Sequence, residues 1–231
     1  MTTNTEINNH HYKRYDSGID IEEEKNGVRI LHAFPSTLFA LDVPISEEEQ
    51  TVYLDVISEN LFKSSGHSFS QTKGNLHLNE KIKPLTKKLK QAVSCIIEDH
   101  YLWAVEGFRI NQMWANSFER NQWILRHTHP NSHLSGIFYI DANIESGGTI
   151  FLNPNQVINH IDIQNKTDSA SFSWAKSVTV AAMKHRLILF PSYLDHFSEP
   201  NRTDRARITI SFNVSILEPI GNKISLTYAG E

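Results

Sequence analysis

The sequence predicts a mainly β protein, a sandwich or barrel, preceded by a layer of helices. After Trp103, short apolar runs of about five to eight residues alternate with Gly, Asn and Pro, as strands separated by turns do. Before Trp103, two longer segments carry apolar residues at helical spacing. We therefore expect helices that support a β core, folded as one unit.

Two helices are predicted, over residues 46–63 and 80–100. Ser46 and Glu49 have the spacing of a capping box, in which each side chain binds the other residue's backbone N–H. Pro84 suits the first turn of the second helix, where its missing N–H costs nothing.

The strands are predicted from apolar runs bounded by turn residues. One lies over 30–43, interrupted at Pro35, ahead of the helices. The others follow the helices, over 107–118, 121–129, 135–141, 148–152, 170–181, 186–190, 206–217 and 223–228. This pattern divides the chain into a flexible polar arm (1–28), an N-terminal strand and helical layer (29–104) and a β core (105–231).

The composition is that of a soluble globular protein. Of the 231 residues, 39% are hydrophobic, and the formal net charge of −4 gives no indication of a nucleic-acid partner. Cys95 is the only cysteine, which excludes an intrachain disulfide, and its apolar neighbours predict a buried thiol. Because no apolar run is long enough to span a membrane, we expect a cytoplasmic protein.

Three histidines are predicted to bind one metal ion. His127 and His129 are two residues apart at the end of a predicted strand, so their imidazoles should point to one face. His196 follows another buried strand pattern and could complete a triangle of ligands. The usual iron site has a carboxylate as third ligand, and Asp195 and Asp141 are weak candidates for it. We expect an all-histidine triad, or two histidines with water in the third position.

Arg205 and Arg207 are predicted to share one face of a strand. An arginine that points into a barrel has to meet an anion, and its planar guanidinium can bind a carboxylate with two hydrogen bonds. At this point the alternative, in which both side chains lie on the outer surface, stays open.

These motifs resemble the 2-oxoglutarate/iron(II)-dependent oxygenase family found in bacteria and phages. The resemblance covers about residues 105–215 and rests on motifs that occur in the family's order: HTHPNSHLSGIFYI from residue 127, GGTIFLNP from 147, LFPSYLDH from 189 and RITISFN from 207. It implies a double-stranded β-helix (jelly-roll) core with the N-terminal helices packed on it.

The resemblance also implies roles for the metal-binding candidates. His127 matches the first iron ligand and His196 the distal one. His129 stands where the wider superfamily has its carboxylate ligand, and the resemblance implies that this family shares the His-x-His-Pro pattern.

For the cosubstrate, Arg207 matches the arginine that binds the C5 carboxylate of 2-oxoglutarate, with Arg205 as the alternative. From the order of the strands, Tyr139 and Asn116 are expected to hydrogen-bond the same molecule.

The implied function is that of an iron(II)- and 2-oxoglutarate-dependent dioxygenase, a hydroxylase that uses dioxygen on an unidentified substrate. Two other functions stay open. One is a three-histidine enzyme of cupin type that does not use 2-oxoglutarate, and the other is a non-catalytic jelly-roll binding protein. The loops over 64–77 and 155–168 are expected at the barrel mouth. The helical, Trp-containing N-terminal half is compatible with a homodimer.

Overall fold

A computed structural model describes residues 13–14, 20–25, 28–31, 36–63, 66, 68–101, 103, 105–155, 157–158 and 175–217. The predicted strand over 223–228 and most of the predicted loop over 155–168 lie outside the described residues. By their internal contacts the residues fall into two units, Met1–Ser36 with Asn222–Glu231, and Thr37–Gly221. The predicted division after residues 28 and 104 stays a prediction.

The first unit contains one small antiparallel sheet in the order β1-β2-β3. Its strands are short: β1 (Lys13–Arg14), β2 (Asp20–Lys25) and β3 (Val28–Leu31).

The second unit contains the helices and two sheets. Its elements, in chain order, are β4 (Phe39–Asp42), α1 (Glu47–Asn60), β5 (Phe62–Lys63), β6 (Ser70–Gln71), α2 (Lys83–Cys95), β7 (Gly107–Phe118), β8 (Leu134–Asp141), β9 (Thr149–Leu152), β10 (Ser177–Val180), β11 (Arg186–Pro191), β12 (His196–Ser198) and β13 (Arg207–Leu217). Single 3-10 turns occur at Leu76–Leu78 and Ile144–Ser146, and a π-helical turn, Ile96–Tyr101, follows α2.

Both predicted helices form. Helix α1 begins after Ser46, whose Oγ accepts a hydrogen bond from the Glu49 backbone N–H while Glu49 Oε2 accepts one from the Ser46 N–H. The capping box satisfies two backbone donors that a helix start leaves open. Pro84 lies in the first turn of α2, as predicted. None of the described helices is long and apolar enough to cross a membrane.

The prediction of a buried thiol at Cys95 is wrong, because Cys95 is exposed. The buried stripe of α2 includes Leu89 and Val93, which are four residues apart and therefore share a helix face. Cys95 follows Val93 by two residues, which turns it away from that face. Its Sγ contacts Asp99 instead, and this hydrogen bond raises the pKa of the thiol.

The β core is a jelly-roll of two antiparallel sheets. The larger, seven-stranded sheet has the order β4-β11-β8-β13-β7-β6-β5, and the smaller has the order β10-β9-β12. The predicted mainly β jelly-roll with N-terminal helices is therefore confirmed.

One predicted strand is wrong. Residues 122–129 are irregular, and only His127 forms a bridge, to His196 of β12. The backbone turns sharply where this segment begins, at Asn121 (φ 65°), and again where it ends, at Asn131 (φ 64°).

The two faces of the large sheet are used differently. One face packs against the helices, in a core that contains Ile57, Leu89 and Phe138. Because side chains alternate along a strand, Tyr139 points to the other face, where it packs with Phe190 in a second cluster. This second face forms one side of a cavity.

Candidate active site

The cavity has an empty volume of about 430 Å³, which includes space open to solvent. On the large sheet its lining follows the pairing of β7, β13 and β8. Every second residue of β13 from Arg207 to Ser211 lines the cavity together with its neighbours on the adjacent strands. Arg207 lies beside Phe118, Thr209 lies between Asn116 and Tyr139, and Ser211 lies between Trp114 and Ile137. Thr209 and Ser211 line the cavity although they are not among the residues predicted from the sequence, and their period-two spacing from Arg207 was the available signal.

The three predicted histidines converge in the cavity. One ring nitrogen from each lies within 4.8 Å of the others, and Nε2 of His129 is 3.3 Å from Nε2 of His196. The His127 and His196 backbones are bonded to each other, because each N–H donates to the other's carbonyl oxygen at 3.0 Å. His129 N–H donates to the Ser192 carbonyl oxygen. The three imidazoles therefore meet although the segment that carries His127 and His129 is not a strand.

Backbone carbonyls set the tautomers of two of these rings. Nδ1 of His127 is 2.7 Å from the Leu125 carbonyl oxygen, and Nδ1 of His196 is 2.9 Å from that of Leu194. A carbonyl can only accept, so each Nδ1 carries the hydrogen and each Nε2 carries the lone pair. Metal-binding histidines are commonly held in this way.

Burial favours the neutral form of His129 and His196, which is the form that a metal requires. Desolvation, together with the neighbouring imidazoles, lowers the pKa of His129 to about 3. Desolvation and the nearby His127 lower the pKa of His196 to about 4.

Neither carboxylate considered from the sequence joins the histidines. Asp141 pairs with Arg205, and Asp195 pairs with Arg126 outside the cavity. Among the described residues, the group that could hold a metal ion consists of three histidines.

The two arginines lie in different places, so the prediction that they share a strand face is wrong. Strand β13 begins at Arg207, and Arg205 belongs to the turn before it, where alternation does not apply. The Arg205 side chain is 71% exposed, and its charge is paired with Asp141 at 2.7 Å. Arg205 does not line the cavity, whereas Arg207 does and is only 1% exposed.

Arg207 is a buried cation that no carboxylate pairs with among the described residues. Its Nη1 donates to the carbonyl oxygens of Ser146, Gly147 and Glu199. Nη2 donates to Ser198 Oγ at 2.9 Å. Nε and the second hydrogen of Nη2 make no hydrogen bond within the described part of the chain, and they form the edge of the guanidinium that suits a carboxylate.

Tyr139 and Asn116 line the same cavity. Tyr139 OH is 2.7 Å from Thr149 Oγ1, and burial raises the pKa of the phenol. Asn116 is 3% exposed, its Nδ2 is 3.4 Å from Ser211 Oγ, and its Oδ1 has no hydrogen-bond partner. A buried amide with one end unpaired is costly unless a ligand satisfies it.

The segment that builds this cavity has a recognisable sequence. Residues 112–213 match the protein family described as "Putative 2OG-Fe(II) oxygenase". The resemblance to these oxygenases is confirmed, and with it the enzyme class and the cofactor pair of iron(II) and 2-oxoglutarate. No curated protein matches the chain in sequence.

Solved structures with little sequence identity share the fold. The epimerase SnoN from nogalamycin biosynthesis is 12% identical, with a TM-score of 0.57 over 78% of this chain and 76% of SnoN. HygX from Streptomyces hygroscopicus, solved with nickel and 2-oxoglutarate, is 9% identical, with a TM-score of 0.55 over 78% and 83%. A prolyl-4-hydroxylase from Pseudomonas putida is 12% identical, with a TM-score of 0.51 over 76% and 91%.

Proposed function

We propose that this protein hydroxylates a C–H bond of an unidentified substrate, using iron(II), 2-oxoglutarate and dioxygen. The observation that carries the proposal is one cavity with two complementary features. It contains three converging imidazoles that fit a divalent metal ion, and it contains Arg207, a buried cation without a carboxylate partner among the described residues. Such a cation needs an anionic ligand, because burying a charge without a partner costs roughly several kcal/mol of free energy.

The residues fit both cofactors. His127, His129 and His196 would hold iron through ring nitrogens whose lone pairs face the cavity. Iron(II) and 2-oxoglutarate, when bound, supply the oxidation: dioxygen is consumed, 2-oxoglutarate gives succinate and carbon dioxide, and one oxygen atom enters the substrate C–H bond. The part of the protein is to hold, orient and shield these reactants.

Arg207 would bind the distal carboxylate of 2-oxoglutarate through Nε and Nη2. Its Nη1 is already held by three backbone carbonyls, so the guanidinium is fixed before the ligand arrives and loses little freedom on binding. Asn116 would donate Nδ2 to the same molecule if its amide is turned, because Oδ1 would then accept from Ser211 Oγ. Tyr139 would add its hydroxyl.

Aromatic rings exclude water behind the histidines. The Phe190 ring lies edge-on to His196 at 4.7 Å between centroids, and the Phe151 ring lies at 5.7 Å. Both phenylalanines are buried. Apolar rings that exclude water at this position limit side reactions of the oxidant with solvent.

Anaerobic titration of the iron(II)-loaded protein with 2-oxoglutarate tests the proposal. We expect a visible metal-to-ligand charge-transfer band, which requires chelation by the keto and carboxylate oxygens. If iron is bound and no band appears, the three-histidine enzyme without 2-oxoglutarate, or the non-catalytic binding protein, becomes the better hypothesis. The homodimer and the cytoplasmic location stay predictions.

A further inference from the structure

The cavity lining divides sharply by exposure. Apart from the three histidines and Trp114, its hydrogen-bonding residues are all buried, and they surround the place proposed for 2-oxoglutarate. The lining residues that keep partial exposure, apart from His127 and His129, are Trp114, Ile124, Ile137 and Phe197. Apart from these two histidines, the part of the lining that solvent reaches is therefore mainly apolar, and the Trp114 indole adds one N–H donor to it.

Within the described part of the chain, the partly exposed lining of the cavity, called the entrance below, has no unpaired charged side chain. Arg126 and Asp195, the charged neighbours of two of the histidines, are hydrogen-bonded to each other. Arg207 lies at the buried end and would be occupied by the cosubstrate. Against the described residues of this lining, a charged substrate would lose water without gaining an ionic partner.

Trp114 lines the cavity beside His129. Its ring is 5.7 Å from the His129 ring, and it is paired on the sheet with Ser211. The backbone of Ile124 is held by Ser198, because Ser198 N–H donates to the Ile124 carbonyl oxygen and the Ile124 N–H donates to Ser198 Oγ. Trp114 and Ile124 therefore both contribute apolar surface to the cavity lining.

We propose that the primary substrate presents an uncharged apolar group, an aromatic ring or a branched aliphatic chain, to the metal, against the apolar part of the lining that includes Trp114 and Ile124. This inference rests on the proposed function, because it takes the buried end of the cavity to be filled by 2-oxoglutarate. Charged groups of the substrate, such as ammonium or carboxylate, remain outside the entrance.

A fluorine-labelled protein tests the inference without turnover. The chain has four tryptophans, so 5-fluorotryptophan gives four ¹⁹F signals, and Trp114→Phe and Trp123→Phe assign two of them. Trp123 is 43% exposed and does not line the cavity, which makes it the control position. The protein is loaded with zinc(II) and saturated with 2-oxoglutarate, and 2-oxoglutarate binding is first measured by calorimetry on the same sample.

Three probes of equal size but different charge are then titrated: benzyl alcohol, benzylammonium and benzoate. We expect benzyl alcohol to shift the Trp114 signal saturably, with an affinity at least about tenfold above those of the two ions. The Trp123 signal should not move. Ile124→Ala should weaken benzyl alcohol by about fivefold, and Leu125→Ala, at a 71% exposed neighbour outside the cavity, should not.

The outcomes separate the two proposals. Failure of 2-oxoglutarate to bind the metal-loaded protein counts against the proposed function itself. If 2-oxoglutarate binds and either ion matches benzyl alcohol, the inference about the substrate is overturned while the proposed function stands. The inference about the substrate is also overturned if 2-oxoglutarate binds and none of the three probes shifts the Trp114 signal.

Discussion

The two sides of the cavity are built in different ways. The sheet wall, which consists of Asn116, Tyr139 and Arg207 on β7, β8 and β13, has nearly complete burial and regular two-residue spacing. The histidine wall, which consists of His127, His129 and His196, comes from an irregular segment and a strand of three residues. The sheet wall fits an organic anion, and the histidine wall fits a metal ion. We therefore expect changes on one wall to affect one ligand far more than the other.

The largest expected effect is on the histidine wall. His196→Ala removes a ligand from the most buried position of the triad, and we expect iron(II) binding to be lost, by more than about 100-fold in affinity. Calorimetry with iron(II) or cobalt(II) measures it. His133→Ala is the control, since His133 is exposed to solvent in part and its Nδ1 accepts the Ile216 N–H outside the cavity. Unchanged metal affinity in His196→Ala would refute the metal site.

On the sheet wall, Arg207→Ala should weaken 2-oxoglutarate binding by about 2–5 kcal/mol and leave iron affinity close to that of the wild type. Arg205→Ala is the matched control two residues away, exposed and paired outside the cavity. Arg207→Lys keeps the charge and should recover only part of the affinity for 2-oxoglutarate, because an ammonium cannot make the two parallel hydrogen bonds of a guanidinium to a carboxylate. Equal 2-oxoglutarate affinity in Arg207→Ala and wild type would end this assignment.

His129 distinguishes two views of the histidine wall. His129→Asp places a carboxylate where the wider superfamily has one, and we expect iron to stay bound, whereas His129→Ala should lose about tenfold or more in affinity. Turnover of 2-oxoglutarate is measured in both variants. Higher turnover in His129→Asp than in wild type would mean that His129 has replaced a carboxylate ligand at a cost in activity.

A smaller effect is expected from Asn116→Asp. The new carboxylate would repel an anionic cosubstrate, and we expect 2-oxoglutarate affinity to fall by about tenfold at constant iron affinity. Asn111→Asp on the exposed part of β7 is the control. If both substitutions change 2-oxoglutarate binding equally, Asn116 does not contact it.

Acid should destabilise the metal-free protein through the histidine wall. His129 and His196 have pKa values of about 3 and about 4 in the folded chain, against an ordinary value of 6.5. The unfolded chain therefore takes up protons first as the pH falls. The free energy of unfolding should decline from about pH 6.5 toward about pH 4. Denaturant titrations in that window measure it, and replacing both histidines with Gln should flatten the curve.

The sheet wall was largely predictable from the sequence. Polar and apolar residues alternate strictly at the start of β13, where the polar ones are Arg207, Thr209 and Ser211. Once the first residue of the strand is known, this alternation predicts which side chains point into the cavity. That first residue was the missing information. Arg205 fitted the same alternation because composition does not show where a turn ends and a strand begins.

The histidine wall was predicted correctly in its members and wrongly in its backbone. The apolar run Trp123–Leu125 suggested a strand, but Trp123 and Leu125 are exposed and the segment is held by bonds to Ser192, His196 and Ser198. Those partners are about 70 residues away in the chain, and single-sequence periodicity contains no information about them. The exposed Cys95 was missed for a similar reason, since two apolar neighbours do not define a helix face.

The paired backbone of His127 and His196 has a consequence for how the protein exchanges its metal. Each N–H already donates to the other's carbonyl oxygen, so the two ligands are joined by the fold and not by the ion. In hydrogen–deuterium exchange, both amides should be protected in the apo form as well as in the loaded form. A chelator would then remove the metal and leave the structure of the site intact. Reloading would be limited by the exchange of water on the incoming ion, not by ordering of the chain.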